Sequence, residues 1–106
     1  MFVAINYITC HGEYRERFES LMKSRARAID TMPGFIRMEV LKPIDTGNDY
    51  LIISHWDSEE NFNVWKSSGQ FLEGHKRGFA DMIQAQKEGR ESPMKSDFKT
   101  YLMLAR

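Results

Sequence analysis

Segments rich in aromatic and β-branched residues predict four β-strands: Phe2 to Thr9, Phe35 to Leu41, Tyr50 to Trp56 and Phe98 to Leu104. Side chains of the first strand alternate between two faces, with Val3, Ile5 and Tyr7 on one and Phe2, Ala4, Asn6 and Ile8 on the other. Turn-forming residues at 43–49 separate the second and third strands, which indicates a hairpin.

Apolar residues at steps of three and four predict helices between these strands. One stripe runs from Tyr14 to Met32, where Pro33-Gly34 ends the helix and turns the chain. Asp57 is the expected N-cap of a short helix from Ser58 to about Lys66, with Glu60 as its capping-box partner. A further helix is expected at about 70–87, followed by a polar loop at 88–96.

The element order βαββα(α)β predicts an α+β, ferredoxin-like fold, an antiparallel sheet with helices on one face. In the first, third and fourth strands both alternating sets of side chains are largely apolar, whereas a sheet with one wet face alternates apolar and polar residues. Helices cover only one face, so we expect a second copy to cover the other, giving a homodimer whose sheets form a β-barrel. Residues 1–106 are expected to form one domain, since this is a typical domain length.

Charge and composition exclude several partners. Fifteen basic residues balance fifteen acidic ones, so a broad positive surface for nucleic acid or an anionic membrane is not expected. No apolar stretch is long enough to span a membrane, and residues 1–10 lack the features of a signal peptide, so we expect a cytoplasmic protein. The single cysteine, Cys10, rules out an intramolecular disulfide and is not expected to be catalytic.

His75 is the first candidate for chemistry. It lies on the apolar stripe of its helix, four residues from both Phe71 and Phe79, and Gly74 and Gly78 flank it. Glycine within a helix costs up to about 1 kcal/mol relative to alanine, so two of them suggest that something approaches the backbone closely. A histidine in such surroundings is typical of an axial haem ligand, but a core histidine bonded to a carbonyl fits the same pattern.

Asn6 and Trp65 are two further candidates. Asn6 shares its strand face with apolar residues, and burying an unpaired amide costs about 1–3 kcal/mol, so a partner is needed. That partner is either another protein group or a bound ligand. Trp65, ten positions before His75, is either a core residue or part of a pocket wall.

Together Asn6, Trp65 and His75, with the segment HWDSEENFNVWKSSGQFLEGHK (55–76), resemble the IsdG-type haem-degrading monooxygenases. These belong to the antibiotic-biosynthesis-monooxygenase superfamily of dimeric ferredoxin-like domains. In element order the resemblance covers almost the whole chain.

The resemblance implies that haem is both cofactor and substrate. His75 would be the proximal ligand of the iron, Asn6 would donate a hydrogen bond to oxygen on the distal side, and Trp65 would press against the macrocycle. Apolar contacts would come from Phe71, Phe79 and Met82, and the propionates would reach Lys76 or Arg77 at the rim. The reaction uses O2 and electrons from an external reductase, since nothing in the sequence resembles a flavin or nicotinamide site.

Three other functions fit the same sequence. The first is a cofactor-independent oxygenase acting on an aromatic, polyketide-like substrate. The second is a non-catalytic haem carrier that uses His75 only to hold the ring. The third is a stress-response dimer with an empty pocket. Haem binding and haem loss under reducing conditions distinguish them.

Overall fold

Four antiparallel strands form one sheet in the computed structural model, which describes residues 1–25, 27–45 and 47–106. These strands are β1 (Phe2–Cys10), β2 (Phe35–Leu41), β3 (Tyr50–Trp56) and β4 (Met94–Leu102). Their order is β2-β3-β1-β4, so β1 and β3 are central and β2 and β4 form the edges. Ala26, in the predicted first helix, and Thr46, in the predicted turn, lie outside the described residues.

The helices are α1 (Arg15–Lys23), α2 (Glu59–Lys66) and α3 (Gly69–Lys87), and two short 3-10 segments are Gly12–Tyr14 and Ala28–Thr31. The resulting order of strands and helices confirms the predicted α+β, ferredoxin-like fold. Within the described ranges, no helix is both long and apolar enough to cross a membrane.

The core lies between the helices and one face of the sheet. Phe2, Ala4, Asn6 and Ile8 alternate with half-buried residues along β1 and are all buried, as the sequence predicts. One cluster packs Phe2 and Trp56 against Phe62 and Trp65 of α2. A second cluster packs Ile8 against Phe18 of α1 and Tyr50 of β3. We call this face of the sheet the inner face.

The opposite, outer face of the sheet is apolar along its centre and charged at its edges. Val3 and Ile5 of β1 and Ile53 of β3 are half-buried there. Edge strand β2 carries an ion pair between Arg37 and Glu39 at 2.9 Å. The prediction of two largely apolar faces is therefore confirmed for β1 and β3 but is wrong for β4, whose outer-face residues include Lys95, Asp97 and Lys99.

The predicted helix from Tyr14 to Met32 is wrong in its second half. α1 ends at Lys23, and Ser24 bonds back to the Ser20 carbonyl through both its amide (3.2 Å) and its hydroxyl (2.8 Å). Arg77 of α3 donates hydrogen bonds to the carbonyl oxygens of Leu21 and Ser24, at 3.2 and 2.7 Å. These carbonyls at the end of α1 have a partner more than fifty residues away, which no local pattern reveals.

The last strand begins earlier than predicted. β4 runs from Met94 to Leu102 and pairs with β1 from Cys10↔Met94 to Phe2↔Leu102, so the predicted loop 88–96 ends before Met94. Lys95, Asp97 and Lys99 alternate with inner-face residues along this exposed edge strand. Because these three residues are charged, the sequence pattern does not indicate that the strand begins at Met94. The earlier start places Ser96 on the inner face.

The short helix α2 begins one residue later than predicted, with a different cap. The hydroxyl of Ser58 accepts a hydrogen bond from the Asn61 amide at 3.2 Å, so Ser58 and not Asp57 is the N-cap. The Asp57 carboxylate accepts instead from the Asn61 side chain at 2.8 Å. It also lies against Gly34, whose φ of 78° requires glycine at the predicted Pro33-Gly34 turn.

A polar contact joins α1 to α3. The Asp81 carboxylate accepts hydrogen bonds from the Tyr14 hydroxyl at 2.6 Å and from Arg17 at 2.9 Å. The Arg17 hydrogen bond is the largest cause that holds the pKa of Asp81 below its ordinary value, and Tyr14 adds to it. This contact stabilises the folded state while Asp81 is ionised.

We expect Asp81→Asn to lower the free energy of unfolding by about 2 kcal/mol at pH 7, because the charged acceptor of two hydrogen bonds is lost. A lowered folded pKa stabilises the protein above the ordinary carboxyl pKa, and this contribution disappears as the pH falls through the lowered value. The difference between variant and parent should therefore shrink in acid. Urea unfolding at a series of pH values measures it.

The matched control is Glu73→Gln, on the same helix, since Glu73 is exposed and makes no ion pair with the described residues. This control should unfold like the parent at every pH. A constant difference between Asp81→Asn and the parent down to strongly acidic pH would contradict the role given to the Asp81 charge.

Candidate functional site

A cavity of about 210 Å³ lies between the inner face of the sheet and the helices. Its sheet side includes Asn6 of β1, Ser54 of β3 and Ser96 of β4, and its helix side includes Trp65 of α2 and His75 of α3. Most of the other lining side chains are apolar, among them Phe71, Phe79, Met82, Met94 and Phe98. The fold therefore brings together at one cavity the six residues predicted to contact the ring or its iron: Asn6, Trp65, Phe71, His75, Phe79 and Met82.

A hydrogen bond to the backbone determines which ring nitrogen of His75 carries a proton. Its Nδ1 lies 2.7 Å from the carbonyl oxygen of Phe71, one helical turn earlier, and a carbonyl only accepts hydrogen bonds. Nδ1 must therefore carry the proton, which leaves the lone pair on Nε2 in the neutral ring. Nε2 has no hydrogen-bond partner among the described residues. Metal-binding histidines commonly have this arrangement, with one nitrogen fixed by a carbonyl and the other available.

Aromatic rings hold the imidazole of His75 on both sides. The Phe71 ring stacks on it with centroids 4.1 Å apart, and the Phe79 ring does so at 5.5 Å. Trp65 lies 6.2 Å from the imidazole and packs edge-on against Phe71 at 5.3 Å. Because these rings restrict the imidazole, its orientation is set before any ligand binds.

Trp65 belongs to both the core and the cavity wall. Its indole is 5% exposed and stacks on Trp56 of β3 with centroids 6.5 Å apart. The two roles left open by the sequence are therefore compatible, because the same ring packs on the sheet and lines the cavity.

Asn6 is 6% exposed, and one of the two polar atoms of its side chain has a hydrogen-bond partner in the protein. Its Oδ1 accepts a hydrogen bond of 2.7 Å from the Ser96 hydroxyl. Its Nδ2 finds no acceptor in residues 1–25, 27–45 and 47–106. Half of the amide is thus satisfied within the protein, and the donor half is available to a molecule in the cavity.

Two serines of the cavity wall are not predicted from the sequence. Ser54 is buried and accepts a hydrogen bond of 3.0 Å from the Trp56 indole nitrogen, and Ser96 bonds to Asn6. The alternation of Met94, Ser96 and Phe98 identifies Ser96 as an inner-face residue only once β4 is known to begin at Met94.

Glycines 74 and 78 also line the cavity. A Cβ atom at Gly74 would lie 3.6 Å from the Trp65 ring, and one at Gly78 would lie 3.6 Å from the Met94 methyl. Both are ordinary contact distances, so no described residue requires glycine at either position. Any close approach to this backbone would come from a molecule in the cavity.

The cationic rim agrees in part with the prediction of Lys76 or Arg77. Lys76 is not among the lining residues, whereas Arg77 lines the cavity while it donates hydrogen bonds to the end of α1. Arg25 and Arg27, which the sequence did not suggest for the rim, also line the cavity, and both pair with Asp30, at 3.1 and 3.2 Å. Two guanidinium groups share one carboxylate, so this side of the cavity carries excess positive charge.

The single cysteine and the two other histidines lie away from the cavity. Burial raises the pKa of the Cys10 thiol to about 11, which keeps it protonated at neutral pH. His11 pairs with Glu91 at 3.4 Å, outside the cavity. His55 lies on the outer face, where its Nε2 is 3.0 Å from Glu39.

Comparisons with known proteins identify similar sequences and similar folds. The chain is 30% identical over 73 residues to a mycobilin-producing heme oxygenase of Mycobacterium tuberculosis, covering 69% of each protein. Structures of the heme degrader MhuD superpose with TM-scores of 0.76, for a form with two manganese protoporphyrins per active site, and 0.71, for the M. tuberculosis protein with two hemes. Their identities are 21% and 19%, and they cover 100% of this chain and 97% and 98% of theirs.

The same fold occurs in a different kind of oxygenase. SnoaB, a cofactor-independent oxygenase from Streptomyces nogalater, superposes with a TM-score of 0.71 at 22% identity, covering 99% of this chain and 94% of its own. At such low identities the structural matches establish a shared fold. Residues 1–77 match the family described as Antibiotic biosynthesis monooxygenase. The chain belongs to the antibiotic biosynthesis monooxygenase family.

Proposed function

We propose that this protein is a haem-degrading monooxygenase that binds haem through His75 and oxidatively opens the porphyrin ring, releasing iron. One observation carries the proposal. The Nδ1 proton of His75 is held by the Phe71 carbonyl at 2.7 Å, so the neutral imidazole presents its Nε2 lone pair beside an apolar cavity. The 30% identity to a heme oxygenase supports it.

A single histidine is sufficient to bind a metal ion whose other ligands belong to a bound cofactor. No group of three or more His, Cys, Asp or Glu side chains suited to a metal ion occurs among the described residues. A free ion would therefore find too few protein ligands here, whereas a porphyrin supplies four nitrogens of its own. His75 would then supply the protein ligand that holds the iron of the porphyrin.

The size and charge of the cavity indicate where the ring would lie. About 210 Å³ is below the usual range of about 300–1,000 Å³ for drug-sized ligands, so the ring would also fill the cavity mouth. Phe79, which is 36% exposed, would cover part of its face there. The propionates would meet the excess positive charge of Arg25 and Arg27.

Each site residue then has a role. His75 would hold the iron, with Phe71 and Phe79 fixing its imidazole, and Trp65 would pack its indole against the ring. Asn6, whose Oδ1 is occupied by the Ser96 hydroxyl, would donate a hydrogen bond from Nδ2 on the sheet side of the cavity. The haem, when bound, supplies O2 activation at its iron, using electrons from an external reductase.

A second candidate is a cofactor-independent oxygenase acting on an aromatic substrate, which the fold shared with SnoaB favours. The same apolar cavity would hold the substrate, and His75 would act in proton transfer. Haem titration separates these two functions, and loss of the bound haem under reductant in air separates a haem-degrading enzyme from a protein that binds haem without degrading it.

We expect added haemin to give a Soret band that saturates at about one haem per chain, by analogy with single axial histidine sites. His75→Ala should weaken binding at least tenfold, or about 1.4 kcal/mol, because the only axial ligand is lost. His11→Ala, a histidine outside the cavity, serves as the control and should bind like the parent. Unchanged affinity in His75→Ala would remove the axial role, and no Soret band in the parent would favour the second candidate.

We expect Asn6→Ala to retain haem binding but to degrade haem at least about tenfold more slowly, because a preorganised donor is removed from the reaction site. The measurement is loss of the Soret band under reductant in air, together with iron trapped by a ferrous chelator. Degradation at the parent rate would exclude the donor role of Asn6. A stable Soret band in the parent would indicate a carrier.

We also propose that the outer face of the sheet is covered by a second copy of the chain, as a homodimer. The half-buried apolar centre of this face, with Ile5 and Ile53 paired across β1 and β3, supports it.

Light scattering after size exclusion should therefore give twice the monomer mass for the parent. Ile53→Glu, which places a charge at the centre of this face, should shift the protein to monomer. Ile44→Glu makes the same substitution at a fully exposed residue and should stay dimeric. A monomeric parent at micromolar concentration would contradict the dimer.

A further inference from the structure

The hydrogen bond from Ser96 to Asn6 connects the last strand to the first across ninety residues of sequence. In the β1–β4 ladder, Asn6 pairs with Phe98 and Ser96 pairs with Ile8, so the two polar side chains are diagonal neighbours on the inner face. Both line the cavity, between the apolar side chains of Met94 and Phe98. No other hydrogen bond of the Asn6 side chain occurs among the described residues.

An asparagine side chain has an acceptor end and a donor end of nearly the same shape, and rotation about its last bond is soft. Without a fixed partner, Asn6 would present its oxygen or its nitrogen to the cavity. In the structure the Ser96 hydroxyl donates to Oδ1 at 2.7 Å, which leaves Nδ2 as the end without a protein partner. A ligand acceptor then meets a donor that needs no reorientation.

We propose that Ser96 is a positioning residue, whose hydroxyl holds the Asn6 amide so that its NH2 group is presented to the substrate cavity. The inference rests on the proposed function for the identity of the substrate, but the orientation of the amide is a property of the protein without haem. Ser96 itself need not touch the substrate. Its effect passes through Asn6.

The test compares three variants. Ser96→Ala removes the hydroxyl, and Ser96→Thr keeps it on a residue that favours strands. Thr100→Val is the matched control, because it removes a hydroxyl from the same face of the same strand, and Thr100 makes no side-chain hydrogen bond among the described residues. The backbone NMR spectrum of each variant establishes that it is folded.

The first measurement is the NMR order of the Asn6 side-chain amide in the haem-free protein, with Asn6→Ala used to assign its signals. The parent, Ser96→Thr and Thr100→Val should show an ordered amide. In Ser96→Ala the order parameter should fall below about 0.6, the range of flexible groups. An equally ordered amide in Ser96→Ala overturns the proposal.

The second measurement is haem degradation under reductant. We expect Ser96→Ala to lower kcat about fivefold, the loss of one ordinary hydrogen bond, with the Kd for haem within about twofold of the parent. Ser96→Thr should restore kcat. A fall in kcat with an unchanged Asn6 amide would assign the effect to strand β4 and overturn the positioning role. If the parent neither binds nor degrades haem, the proposed function fails while the amide measurement still decides the role of Ser96.

Discussion

The hydrogen bond between His75 and the Phe71 carbonyl is the interaction on which the proposed chemistry of this protein depends. It decides which ring nitrogen carries the proton, and therefore which nitrogen has a lone pair to offer. The sequence alone is compatible with either a core histidine bonded to a carbonyl or a metal ligand, and the structure contains the feature common to both. What favours a ligand is the other nitrogen, which has no partner in the described residues although the ring lines a cavity.

The cavity has two chemically different sides, and the fold explains why. Helix α3 places an imidazole among aromatic rings, while the sheet contributes polar side chains from three adjacent strands, Asn6, Ser54 and Ser96. A lone pair on one side and hydrogen-bond donors on the other suit a ligand with an electrophilic metal and a neighbouring acceptor. The same arrangement would orient an aromatic substrate, so the polarity of the cavity alone does not distinguish the two candidate functions.

Local sequence patterns predict the strands and helices whose packing partners are close in sequence or whose side chains are buried. Three strands and the stripe of α3 follow from alternation and periodicity, and His75, Asn6 and Trp65 stand out because each is unusual in its setting. The errors have non-local causes. Helix α1 ends where Arg77 donates a hydrogen bond to the Ser24 carbonyl, and the start of β4 depends on its pairing with β1. Arg25 and Arg27 at the cavity rim and Ser96 on the inner face could not be recognised before those two boundaries were known.

The glycines of α3 add an argument from stability. Glycine at positions 74 and 78 costs the helix up to about 1 kcal/mol each relative to alanine. A methyl group at either position would meet Trp65 or Met94 at an ordinary 3.6 Å, so internal packing does not require the smaller residue. Both positions line the cavity beside His75. Under the proposed function, a flat ring bound through His75 would lie against this backbone, which would account for the smaller residue at both positions.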